Sequence, residues 1–279
     1  MSLRTFLIVA LFPWVVVAAD RVEGQVVDAT SDRGIAYARV GLSDHELGTV
    51  SDDEGRFRLA LPPLDLPADT TILIGAPGYT LQRVTLGDLL ESSRIALVPQ
   101  ERAYQEQVSV SAAGTGKPAI VGKALKPAGY KVGFASGQLG SEVGARIPIK
   151  RKSFIKSAHF VIARTGGERF VYRVNLYDYR DGKVGEMRLT ESVLVDAPQV
   201  IGTIDVDLSR HAVIAEHDLL LTLEWVSDDA GNEVPPLMFR AKRTSKNAMR
   251  HKRRSHGQFD KVPIVKLTPG FYLTVFSLD

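Results

Sequence analysis

Any chemistry on this chain must come from oxygen and nitrogen groups, because the sequence has no cysteine. Thiol nucleophiles, thiolate metal sites and disulfides are therefore excluded. Two acidic turns are rich enough in oxygen to consider for calcium: Asp52-Asp53-Glu54-Gly55, and Asp228-Asp229-Ala230-Gly231-Asn232-Glu233. That ion takes six to eight oxygens from a flexible loop, roughly. Neither turn has alternating acids with a distal Glu, so Asp52, Asp53, Asp228 and Asp229 are weak candidates. The ordinary reading is a strand-connecting turn whose carboxylates accept from backbone N–H groups.

Acid–base chemistry has fewer openings. Asp205 and Asp207 lie two apart in a run patterned as a strand, so both point to one face. A glycosidase needs two carboxyls roughly 5–10 Å apart across a cleft. Ile204, Val206 and Leu208 fill the opposite face, which makes the acids the solvent side of the strand. The six histidines form no H-E-x-x-H or H-x-H pattern, and no G-x-S-x-G occurs. No catalytic residue, cofactor or metal is assigned, and the chain is expected not to be an enzyme. A hydrolase using Asp205 or Glu224 is the alternative.

Binding has more material. Between Arg240 and His256 lie eight basic residues and no acid: Arg240, Lys242, Arg243, Lys246, Arg250, Lys252, Arg253 and Arg254. The 35 Lys and Arg, less those eight and Arg4, leave 26 against 32 Asp and Glu, so the rest is mildly acidic. Arg250, Lys252, Arg253 and Arg254 are candidates for polyanion contact, with a solvated loop as the ordinary reading. Aromatic interleaving is missing, so nucleic acid is not expected. Tyr177, Tyr179 and Trp225, with Tyr172 and Phe239, have rings suited to sugar stacking, although such rings more often fill a core.

These groups need a frame, and the pattern is that of strands. The first residues stand apart. Arg4 precedes a run from Phe6 to Val17 that is nearly all apolar, and Ala18 and Ala19 supply small residues before Asp20. This reads as an export signal over 1–19. Its 12 residues fall short of the roughly 20 that span a bilayer, so no membrane anchor is expected in the mature chain. Short strands with frequent turns are expected over 22–27, 36–42, a 48–61 hairpin, 71–74, 81–86 and 94–98, which makes an antiparallel sandwich. Turn formers over 100–129 read as a linker. Strands resume over 131–134, 142–149, 154–163, 170–177, 191–195, 202–208, 219–226, 236–241, 261–267 and 271–276. The fold class is all-β, with two sandwiches, the larger of plain-sandwich or jelly-roll type. Each half is expected to have its own core, so 130–279 should fold without 20–99.

Four blocks carry a family resemblance: Gly24 to Asp28, Gly34 to Val40, Gly48-Thr49 leading to Asp52-Asp53-Glu54-Gly55-Arg56-Phe57, and Pro77-Gly78-Tyr79. Together they resemble the carboxypeptidase regulatory-like domain. The resemblance implies a transthyretin-like sandwich over 20–99 that is an accessory of exported bacterial proteins and not itself a peptidase. Gly140 to Gly144, Phe170 to Asp178, Leu189 to Val195, Ile204 to Leu208 and Leu219 to Trp225 resemble the uncharacterised β-domain that follows this module in Bacteroidota-type envelope proteins. The expectation is an exported accessory, periplasmic, outer-membrane-associated or secreted, that binds an envelope protein or glycan.

Overall fold

The computed structural model describes residues 21–42, 45, 47–61, 66–100, 117–126, 129–165, 170–196, 201–228, 237–244, 249–261 and 266–278, with the backbone alone at Asp228 and Lys261. The expected export signal and residues 101–116 of the expected linker lie outside them.

Seven strands come first: Arg21–Asp28 (β1), Arg39–Leu42 (β2), Gly48–Val50 (β3), Arg56–Ala60 (β4), Thr71–Gly75 (β5), Gln82–Thr85 (β6) and Arg94–Leu97 (β7). They form two sheets, β4-β1-β7 and β3-β2-β5-β6. Alternation does the sorting. Phe57 and Leu59 turn inward from β4 while Arg56, Arg58 and Ala60 face water. Val22, Val26, Val40, Leu42, Ile72, Ile74 and Leu97 complete this core. One pair departs from the expected antiparallel plan: β1 and β7 run parallel. Between β6 and β7, which lie in different sheets, the chain forms a short helix, Leu86–Glu91 (α1), where the sequence reading had only the end of a strand. Thr85 caps it, accepting from Asp88 N at 3.1 Å while the Asp88 carboxylate accepts from Thr85 N at 3.2 Å. Leu86 and Leu89, one turn apart, bury its inner face.

The second sandwich contains Ala119–Gly122 (β8), Tyr130–Val132 (β9), Glu142–Ile147 (β10), Ser153–Arg164 (β11), Phe170–Arg180 (β12), Lys183–Met187 (β13), Val193–Asp196 (β14) and Thr203–Asp207 (β15). It continues through Ile214–Ala215 (β16), Leu219–Asp228 (β17), Met238–Arg243 (β18), Met249–Lys252 (β19), Asp260–Lys261 (β20), Leu267–Pro269 (β21) and Phe271–Ser277 (β22). One sheet is ordered β13-β12-β17-β10-β19-β20 with β14 also on β12, and the other runs β21-β18-β11-β22-β8 with β9, β15 and β16 attached. Two expectations are corrected here. Residues 119–122 are not linker, because they pair with β22. The basic stretch 249–252 is a strand, because its backbone pairs with β10 on one side and β20 on the other.

Tyr172, Val174 and Leu176 on β12 pack against Leu221, Leu223 and Trp225 on β17 and against Phe239 and Phe271 from the facing sheet. The all-β, two-sandwich reading is what the structure shows. Yet β10, β12, β17 and β19 are buried on both faces. Strands lose their wet face only when something covers it.

The acidic hairpin shows how tightly the first sandwich is closed. Gly55 has φ +79°, and a Cβ there would sit 2.3 Å from the Val26 carbonyl oxygen. Gly55→Ala is expected to destabilise the protein by about 1–3 kcal/mol, from a strained backbone and a forced contact. Thermal melting of the variant beside the parent checks this.

Candidate functional site

The cover over the second sandwich is the first one. On the outer face of β12, β17, β10 and β19 stand Arg173, Asn175, Thr222, Glu224, Glu142 and Lys252, all of them buried. From β2 of the first sandwich, Arg39 reaches into them. Val40 and Leu42 point into their own core, so the alternation of the strand turns Arg39 and Gly41 outward.

Arg39 grips Glu224 with both arms of its guanidinium, Nε to Oε1 at 2.8 Å and Nη2 to Oε2 at 2.5 Å. Arg173 Nε and Asn175 Nδ2 each donate to Glu224 Oε2 at 2.9 Å. The second carboxylate, Glu142, accepts from Thr222 Oγ1 at 2.6 Å, from Tyr177 Oη at 3.1 Å and from the Lys252 ammonium. Arg39 Nη2 donates to Asn175 Oδ1 at 3.2 Å and lies 3.8 Å from Glu142, so it links both acids. Around this centre, Arg173 Nη1 donates to the Tyr37 carbonyl at 2.7 Å and Arg254 Nη1 to the Leu42 carbonyl at 2.8 Å. Backbone follows closely: a Cβ on Gly41 would lie 2.6 Å from the Ser255 carbonyl oxygen, and one on Gly48 2.9 Å from it.

The electrostatics match the contacts. Burial by itself pushes the Glu224 carboxyl up, but the guanidiniums of Arg173 and Arg39 outweigh it and hold the group well below the usual carboxylate range. Burial also drives Arg173 and Lys252 below their ordinary values, while Glu224 more than restores Arg39. Glu224 is thus an ion held by four donor contacts, from both arms of Arg39, from Arg173 and from Asn175.

Comparison with protein-family models finds no match, and neither does comparison with curated protein sequences. Among solved structures, the cysteine protease and lectin-like domains of Cwp84, a surface layer associated protein of Clostridium difficile, align over 83% of this chain and 46% of that one, at 10% identity and TM-score 0.42. Infectious Bursal Virus derived T=1 particles align over 92% of this chain and 57% of theirs, at 12% identity and TM-score 0.28. The chain spans about half the length of these neighbours.

The residues singled out from sequence lie as follows. Trp225 is in the core, its Nε1 donating to the Ser227 carbonyl. Tyr177 and Tyr179 are buried with Leu220, against Phe259. Arg250 lies over the Tyr179 ring, 5.3 Å from its centre, and donates to the hydroxyl. Arg250, Lys252 and Arg254 are buried with partners inside the protein, in place of the solvated loop, and Arg253 alone of the four is exposed. Asp52 and Asp53 are exposed beside Glu54. Asp52 Oδ1 accepts from Glu54 N at 3.0 Å and Arg56 N at 2.7 Å, the turn-capping role. The Asp228 side chain and Asp229 lie outside the described residues. Asp205 and Asp207 are exposed on the opposite sheet, apart from Glu224.

Sequence reasoning missed Arg39, Glu142, Arg173 and Asn175. The signal was there: Arg173 stands between Tyr172 and Val174, and Glu224 between Leu223 and Trp225, each a charge among apolar neighbours in a strand. The buried apolar residues fall into separate clusters in the two halves. But deleting 20–99 would uncover two acids and two cations built for burial, and a fragment starting at 130 would lack β8.

Two expectations follow. Arg39→Ala leaves Glu224 and Glu142 buried with too few donors, and should cost about 3–5 kcal/mol in urea denaturation. The second concerns pH. Burial, helped by neighbouring cations, lowers the His256 imidazole to about 3 and His251 to about 4. The unfolded chain, titrating near 6.5, then takes up protons that the folded one refuses. Stability present above pH 6.5 is lost as pH falls towards 3–4. His256 Nε2 donates to the Arg39 carbonyl at 3.2 Å, a bond that a Gln amide can imitate. His256→Gln should flatten the fall in melting temperature between pH 7 and 4, whatever it does to the level at pH 7.

Proposed function

We propose that this chain is an exported accessory protein of a bacterial envelope, in which the two sandwiches act as one body that docks a protein or glycan partner. The observation that carries this reading is the buried Arg39–Glu224 clasp. It ties one sandwich to the other, and it engages Glu224, one of the two acids named for the hydrolase alternative. The regulatory-like resemblance of the first module and the export signal expected over 1–19 support the envelope address. Among the described residues no helix is long and apolar enough to cross a membrane.

A fixed pair presents a composite surface. The first sandwich offers a groove of about 640 Å³ on the outer side of its three-stranded sheet, lined by Glu23, Gln25, Arg58, Ser93 and Arg94 among others. Its guanidiniums are paired, Arg58 with Glu23 at 2.7 Å and Arg94 with Asp32 at 2.5 Å. A polar, charge-balanced groove suits sugar hydroxyls or a peptide backbone better than a polyanion. The polyanion alternative keeps Lys242, Arg243 and Arg253 as exposed cations among the described residues of 240–256.

The test is capture of partners from the envelope of the host by tagged mature protein, followed by mass spectrometry and glycan analysis. Enrichment of one envelope protein or glycan, lost in an Arg58→Glu/Arg94→Glu variant, is expected. Turnover of envelope glycan or peptide that disappears in a folded Glu224→Gln variant would overturn the reading.

A further inference from the structure

The outer face of the other sheet carries a second polar cluster, across the core from Arg39. There β11 is flanked by β15 and β22. The register sets Asp207, Ser157 and Thr274 in one cross-strand row, and Asp205, His159 and Tyr272 in the next. His159 Nδ1 lies 2.5 Å from Asp205 Oδ1. An ionised carboxylate only accepts, so Nδ1 carries the hydrogen. The other nitrogen, Nε2, lies 2.9 Å from Ser157 Oγ and 2.8 Å from Thr274 Oγ1.

That count of hydroxyls is one too many. A neutral imidazole has a single lone pair at Nε2, and two hydroxyls converge on it. One of them can donate to Nε2; the other is left free to donate to something else. Tyr272 stacks on the imidazole, ring centres 4.4 Å apart and planes 9° from parallel, which fixes the plane of the ring. The His159 side chain is 13% exposed and that of Asp205 68%, so the group sits at the surface.

We propose that Ser157, His159 and Asp205 form a hydrolytic triad acting on carboxylic esters. This goes beyond the docking role and does not rest on it. Ser157 Oγ bonds to the ester carbonyl carbon while its proton passes to His159 Nε2. The ester C–O bond then breaks, and the departing alkoxide takes that proton. Water repeats the sequence on the acyl-serine, giving up a proton to Nε2 and releasing the acid, and Ser157 recovers its hydrogen. Asp205 is a positioning residue that holds Nδ1–H and favours the imidazolium that forms. Thr274, displaced from Nε2, donates its hydroxyl to the carbonyl oxygen as charge gathers there. Ser157 and His159, two apart on one strand, face the same way by strand geometry alone.

The experiment uses the full chain with a fluorophosphonate probe, and mass spectrometry locates the adduct. The expected result is modification of Ser157, slowed about 100-fold or more in His159→Gln. Asp205→Asn should slow it too and shift its pH profile, which a packing role would not do. Thr274→Val should keep the adduct and lower the rate. Ser157→Ala removes one oxygen only, and loss of p-nitrophenyl acetate hydrolysis in that variant serves if the His159 variant does not fold. An adduct elsewhere, no adduct on folded protein, or an unchanged rate in folded His159→Gln would each overturn the triad.

Discussion

One guanidinium stands at the centre of the contact between the two sandwiches. Arg39 belongs to the first sandwich, yet it is buried against an acid of the second, and each is costly to bury without the other. An ion taken out of water costs several kcal/mol unless partners replace the lost solvent. Here the replacement is thorough: Glu224 receives Arg39, Arg173 and Asn175, and Glu142 receives Thr222, Tyr177 and Lys252. Such a network adds specificity more than strength. An apolar interface would tolerate rotation or sliding, whereas a two-armed guanidinium–carboxylate pair has one geometry.

The sheet that carries the network is unusual for a sandwich. Its inner face is ordinary, built on Tyr172, Val174, Leu221, Leu223 and Trp225. Its outer face is charged and dry. The opposite sheet keeps the common arrangement, with Asp205, Asp207 and Thr203 exposed on β15. The contrast explains why acids of similar appearance differ in use. Glu224 lies under a second domain and is fixed as an ion. Asp205 lies in the open and holds only an imidazole, so its neighbours stay within reach of water.

Much of the fold was legible because period-two alternation depends on nearest neighbours in the sequence. The β12 run, Phe170 to Arg180, is plain from its apolar residues at every second place. The helix after Thr85 was missed because it is short, although Thr85 and Asp88 carry a capping pattern. The strand over 249–252 was missed because its cations looked like a solvated loop, and only the three-dimensional partners Glu142 and Tyr179 show otherwise, as the Leu42 carbonyl does for Arg254 beyond it. The same holds for the site. Arg39 and Glu224 are 185 positions apart, and no local pattern joins them. A charge inside an apolar strand says that a partner exists, but not where it is.

The pairing of β8 with β22 has a consequence in time. Ala119–Gly122 and Phe271–Ser277 are the first and last strands of the second sandwich among the described residues, and they lie side by side. That sheet cannot be completed until the chain has been supplied as far as β22. The first sandwich, with its own compact core, has no such wait. The acceptor Glu224 lies in the facing sheet, whose last strand is β20, so it too depends on chain far beyond the first sandwich. Contacts this distant in sequence form late and slowly. Docking of the two sandwiches through Arg39 and Glu224 therefore needs nearly the whole chain.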